Sequence, residues 1–253
     1  MDDIAGLVRR LLRGPELVIA SQETIEELRH KGEQIEEIPS IPLNEALDKL
    51  FTLRRQNASD IVFKLPACPS TEAPVLYLYD EIRQCILFGL NGTAITLSGI
   101  LVEFMLKYAT FRNEQGGKVE FDSEVWKRFE DKLTMRPAID RAKRNGLISD
   151  PQAVDLHRFA DSIRNTYAHF NIQRLTSGAV FRKVRVRSIR TGEEELKDIP
   201  ATQSPAFQIL AKARIDSENV LKIFEFADSV VRHLTAVASG EANAGLKSDR
   251  PGR

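Results

Sequence analysis

Arg164, Asn165 and His169 fall within six consecutive positions of the stretch SIRNTYAHF, residues 162–170. These are residue types that suit phosphate chemistry without a metal. A histidine that titrates near neutrality takes a proton from a ribose 2′-hydroxyl or gives one to a leaving oxygen. An arginine holds non-bridging phosphate oxygens through two parallel hydrogen bonds and stabilises charge as it builds in the transition state. An asparagine orients either partner. RNA carries its own nucleophile, so such a site cleaves by internal attack and needs no cofactor. DNA lacks the 2′-hydroxyl and is inert to it.

Spacing alone leaves a plainer reading open. Asp161 lies three residues before Arg164, and a surface ion pair between them would explain the arginine. A histidine in the last turn of a helix is favoured by the dipole and caps free carbonyls.

The element that must position these groups is a helix predicted over residues 151–169, with Asp150 as its cap and Pro151 at its first position. At about 100° per residue, Leu156, Phe159, Ala160, Ile163, Tyr167 and Phe170 share one sector, the expected buried face. Arg164 and His169 then project on opposite flanks, about 140° apart on an ideal helix, and Asn165 points away from the core. Either the helix loosens before His169, or a second copy supplies part of the site across a two-fold axis.

The rest of the chain predicts a mainly α protein. Short helices are expected over residues 1–13 and 21–31, the latter capped by Ser21, and a leucine stripe from Leu43 to Leu53 gives a third. Residues 1–57 are thus a helical arm, and the proline-rich stretch 64–74 a loop. From Pro74, Leu76, Tyr79, Ile82, Ile86 and Leu90 mark one helical face. Residues 93–109 are apolar on most sides and belong at the centre of a bundle. Asn91, Gly92, Glu103 and Lys107 interrupt that apolar stretch, which argues for a buried helix over a membrane span. Residues 123–133 form a helix with Trp126, Phe129 and Leu133 inward, and 137–146 another that stops at a glycine. Residues 183–199 alternate like two strands across a Thr-Gly turn, so a small β-hairpin insertion is expected. Residues 206–215 are ambiguous, 217–236 form a last amphipathic helix, and 239–253 read as a disordered tail. The bundle accordingly spans 74–236.

Composition excludes several classes. Lys plus Arg and Asp plus Glu balance at 36 each, so binding to nucleic acid or membrane must rest on a local patch. Two cysteines, Cys68 and Cys85, give no disulfide framework and no zinc motif, so neither metal nor cofactor is expected, and a reducing cytoplasmic setting is. No phosphate-loop, dinucleotide or serine-hydrolase motif is present. Arg182, Lys183, Arg185 and Arg187 on the first hairpin strand are candidate RNA-backbone contacts. Cross-strand pairing with Glu193 to Glu195 and Asp198 is the competing account, and the favoured one. Glu81 and Tyr167 are supporting candidates, Glu81 to orient His169. Glu81 and Glu103 are both candidates to face the bundle cleft, with a solvated or ion-paired carboxylate as the equal alternative for Glu81. His157 is expected to pair with Asp161 four residues on.

The segment IRNTYAHF resembles the R-x4–6-H signature of the HEPN superfamily, with Arg164, Asn165 and His169 matching residue by residue. Residues 78–107 and 138–149 resemble the helices that precede the motif in bacterial members. The resemblance, over about 74–172, implies a helical bundle that forms a homodimer and pools two motifs in one cleft. It implies a metal-independent endoribonuclease acting on RNA, in a toxin–antitoxin or phage-defence setting and with an antitoxin or regulatory partner. His169 would be the general acid/base, Arg164 the phosphate clamp and Asn165 the orienting group. The superfamily also holds non-catalytic modules that bind nucleotide, RNA or protein, and that alternative stays open. Some two-gene toxins of the family carry a modifiable tyrosine two residues after the histidine. Asn171 stands there in this chain, so that form of control is not expected.

Overall fold

The computed structural model describes Glu26, Arg29, His30 and residues 43–116, 123–187 and 194–238. The expected helix 1–13, most of 21–31, the Thr-Gly turn and the tail lie outside these residues. The described chain is mainly helical with one two-stranded antiparallel sheet. In order the elements are α1 (Leu43–Ile61), α2 (Ala73–Leu87), α3 (Asn91–Glu114), α4 (Ser123–Lys132), α5 (Met135–Arg144), α6 (Asp150–Phe159) and a π-helical segment (Ala160–Arg164). Then come α7 (Asn165–Ala168), α8 (Ile172–Thr176), β1 (Val180–Arg187), β2 (Glu194–Pro200) and α9 (Pro205–Ala238). By their contacts the described residues fall into two compact units. One holds Arg54–Thr176 and α9 from Lys212 on; the other holds Ser177–Ala211 and the described chain before Arg54.

The first unit is the bundle. α2 starts with Pro74 in its first turn, where a missing N–H costs nothing. It buries Val75, Tyr79, Ile82 and Ile86 completely or nearly so. Leu76, expected on that face, is exposed, and Leu90 lies beyond the helix end: the buried stripe begins one residue earlier. The chain turns at Gly89, where φ is +70°. Leu90 N–H bonds the Cys85 carbonyl and Gly89 N–H the Ile86 carbonyl, the paired bonds of a Schellman ending. α3 then starts at Asn91, earlier than expected, and is buried on most sides. It is long and apolar enough to cross a bilayer, but 67% of its most apolar window is covered by the bundle. α5 ends at Gly146 with the same paired bonds as α2, from Gly146 N–H to Lys143 and Leu147 N–H to Ala142. The cap of α6 is Ser149, not Asp150. Ser149 and Gln152 exchange side chain and backbone bonds in a capping box, and Asp150 falls inside the helix.

An ion pair joins the end of α3 to α5 beside their shared apolar core. Arg141 donates to both Glu114 carboxylate oxygens at 2.6 Å, and Asn145 adds a bond of 2.9 Å. Burial works to raise the Glu114 carboxyl. The hydrogen bonds from Arg141 and Asn145 and the charges of Arg141 and Arg144 outweigh it, and hold the group below the usual carboxylate range. With the folded pKa depressed, the unfolded chain takes up the proton first as pH falls. The stabilisation is therefore full above the ordinary carboxylate range and is lost on acidification through the folded value. Glu114→Gln should lower the urea stability by about 1–2 kcal/mol at pH 7, and the gap to wild type should close as the solution is acidified below the ordinary carboxylate range.

The second unit holds the hairpin. Val180 pairs with Pro200 and Phe181 with Ile199. The register then slips, and Val184 to Arg187 pair with Lys197 to Glu194. Arg182 and Lys183 bulge opposite Asp198, which accepts the Lys183 N–H at 2.8 Å. The strands run three residues earlier and one later than the expected 183–199. Residues 206–215, ambiguous in sequence, are helical and continuous with the last helix as the 34-residue α9.

Candidate functional site

The helix that carries Arg164, Asn165 and His169 is not one straight α-helix. After Phe159 it widens into five π-helical residues, so that Asn165 N–H reaches back five positions to the Ala160 carbonyl. Thr166 Oγ1 donates to the Asp161 carbonyl at 3.0 Å, satisfying an acceptor on the widened turn. The widened turn ends at Arg164 and Asn165–Ala168 return to α-helix, so the loosening expected between Arg164 and His169 lies instead before both of them, as a π segment of the kind that recurs at functional sites.

The π segment lies against the middle of α3. There Gly99 leaves room: a Cβ at that position would stand 3.3–3.4 Å from the Cα, Cβ and Cγ of Arg164. One turn along α3 sits Glu103, a buried acid on an otherwise apolar helix. Arg164 Nε donates to Glu103 Oε2 at 2.7 Å, and Lys107 Nζ lies 3.0 Å from Oε1. The Glu103 and Lys107 side chains are 11% and 13% exposed, that of Arg164 28%. With one cation on each carboxylate oxygen, the shielded geometry suits a charge that has left bulk water. Arg164 Nη1 reaches Asn165 Oδ1 at 3.4 Å, and Nη2 makes no bond among the described residues. The triplet of two cations and one anion keeps a net positive charge with one guanidinium edge uncommitted.

Several expected partners differ. Asp161 does not hold Arg164; it takes a two-point ion pair from Arg136, with Nε at 3.0 Å. His157 pairs with Asp140 at 2.9 Å, not with Asp161. Glu81 accepts the Tyr77 hydroxyl at 2.9 Å on its own helix and makes no bond to His169. Tyr167 faces inward and donates to Asp216 of α9 at 2.6 Å, so it supports the motif from within the core. His169 is exposed at the end of α7, and its ring makes no hydrogen bond or ion pair among the described residues. Phe170, placed in the buried sector by an unbroken helix, is 65% exposed at φ +47°.

The sequence pointed to Glu103 only as a carboxylate facing the cleft, not as the partner of Arg164, and did not point to Lys107 or Asp216. A signal for Glu103 was present: an acid on a helix apolar all round must find a cation. On the hairpin, Arg182, Lys183 and Arg185 are exposed, and Arg185 lies 3.7 Å from Glu194. Lys197 pairs with Glu195 on its own strand. No protein-family model, curated protein or solved structure matches this chain.

Proposed function

We propose that this chain is a HEPN-type, metal-independent endoribonuclease that acts as a homodimer. The observation that carries the reading is Arg164. A buried carboxylate from another helix fixes its Nε side and Asn165 meets its Nη1, while Nη2 makes no bond among the described residues and an exposed, unbonded His169 follows five residues on. A clamp held from behind is pre-organised for a phosphate, and this lowers the ordering cost of binding. In the reaction His169 removes the 2′-hydroxyl proton and the 2′-oxygen attacks the adjacent phosphorus. The 5′-oxygen leaves with a proton from the partner copy's histidine, giving a 2′,3′-cyclic phosphate and a 5′-hydroxyl. Arg164 neutralises the charge on the phosphoryl oxygens meanwhile. Two motifs across a two-fold axis supply one base and one acid.

The test is cleavage of several RNAs in excess EDTA. Wild type should cut RNA and leave single-stranded DNA of the same sequence intact, with cyclic phosphate ends. His169→Ala should lose about 10²–10⁴ of the rate. Arg164→Lys should also lose rate, because an ammonium keeps the charge and not the paired bonds. Cleavage that survives His169→Ala, or none by wild type, rejects the reading.

One observation favours a second reading. The Arg164–Glu103 pair also ties the motif helix to α3, a structural duty that a non-catalytic module binding nucleotide, RNA or a protein partner would keep. That module predicts binding without cleavage, and binding unchanged in His169→Ala.

A further inference from the structure

Three helices of the bundle end the same way, but one uses a costly residue. α2 and α5 place glycine in the left-handed position, Gly89 and Gly146, each at φ +70°. The motif helix makes the same paired bonds, with Phe170 N–H to the Tyr167 carbonyl at 3.1 Å and Asn171 N–H to Thr166 at 2.9 Å. The residue in the left-handed position there is Phe170, at φ +47°. Glycine enters that region freely, whereas a bulky side chain enters it at a cost. The ring does not recover the cost by burial, since the residue is 65% exposed. It sits directly after His169, and Lys212 Nζ lies over it, 5.7 Å from its centre.

A backbone outlier with an exposed apolar ring beside a candidate general base asks for a ligand. We infer that Phe170 is a stacking platform for an unpaired RNA base next to the scissile phosphate. The inference rests on the nuclease reading and deepens it, making the substrate single-stranded RNA or a loop. An aromatic face accepts any base, and a base in a duplex is already stacked and unavailable to it. Lys212, whose ammonium lies over the ring, is itself tethered by Asp216. The left-handed turn lets the ring leave the core, where a regular helix would have buried it.

The experiment compares wild type, Phe170→Gly, Phe170→Leu and Phe170→Tyr. Binding of a labelled single-stranded RNA is read by anisotropy, with a duplex control, and cleavage of the same RNA in EDTA is followed. Phe170→Gly and Phe170→Leu should weaken single-strand binding about 5- to 150-fold, and Phe170→Tyr should retain it. Duplex binding should not change. Because glycine suits the position, Phe170→Gly should melt no lower than wild type. Full binding and cleavage by Phe170→Gly overturns the platform and leaves the nuclease reading standing. So does a lowered melting point with a changed oligomeric state, which would make the ring a contact with a second copy. A wild type that neither binds nor cuts RNA overturns both.

Discussion

Glu103→Ala is expected to cost about 3–5 kcal/mol of stability and to abolish RNA cleavage together. Among the described residues the carboxylate is the one anion between two cations, Arg164 at 2.7 Å and Lys107 at 3.0 Å. Removing it leaves both charges partly buried and repelling one another, together with a void on the most buried helix. Lys107 has a weak second acceptor in the Glu130 carbonyl at 3.5 Å, which does not replace a charge. Urea denaturation at pH 7 measures the loss. Stability and catalysis then separate with the triple replacement Glu103→Met, Lys107→Leu, Arg164→Met. An apolar triplet of similar volume should recover most of the stability, since buried ion groups replaced together are often neutral. It should not recover cleavage. A Glu103→Ala protein as stable as wild type would show that solvent reaches the triplet freely.

Asp216→Ala should cost a similar amount, about 3–5 kcal/mol, for a different reason. Asp216 joins α9 to the motif helix through the Tyr167 hydroxyl and holds Lys212, whose ammonium lies 5.0 Å from the Tyr167 ring centre. Gly92, at the start of α3, makes the space: a Cβ there would lie 2.8 Å from Asp216 Oδ2 and 3.0 Å from Lys212 Nζ. Truncation strands a hydroxyl and an ammonium at once. Asp216→Asn should fall between, keeping one bond to Tyr167. The pair also sets an alkaline limit. Burial, the hydrogen bond to Asp216 and its charge push the Tyr167 hydroxyl far above its ordinary value. The unfolded chain therefore loses that proton first as pH rises, so the stabilisation is whole below about pH 10 and drains away above it. Chemical denaturation at about pH 8 and pH 11 should show this slope in wild type, and a shallower one in Asp216→Asn.

Most of the helices were legible because their signals are local. The apolar rows of α3 and α9, the proline of α2 and the glycine after α5 each depend on a few neighbouring residues. The hairpin was legible from its alternation. What escaped depended on distance or on backbone phase. Arg164 and Glu103 lie 61 residues apart, and nothing near Arg164 pointed past the closer Asp161. Asp161 itself was claimed by Arg136, 25 residues away. Phe170 was assigned to the core because an ideal helix carries it there, and the π segment and the left-handed turn both intervene. Ser149 lost the cap to its neighbour in the sequence reading because the Asp-Pro pair is a stronger local signal than Ser with Gln three residues later.

The π segment has a consequence for counting. Against an α-helix it behaves as one residue too many, absorbed without breaking the chain's direction. Tyr167, on the row that begins at Leu156, nevertheless stays buried, and the chain returns to α-helix over Asn165–Ala168. Arg164 and His169 therefore keep the separation that their count gives on an α-helix, and the extra residue acts on how the motif as a whole is carried on from α6.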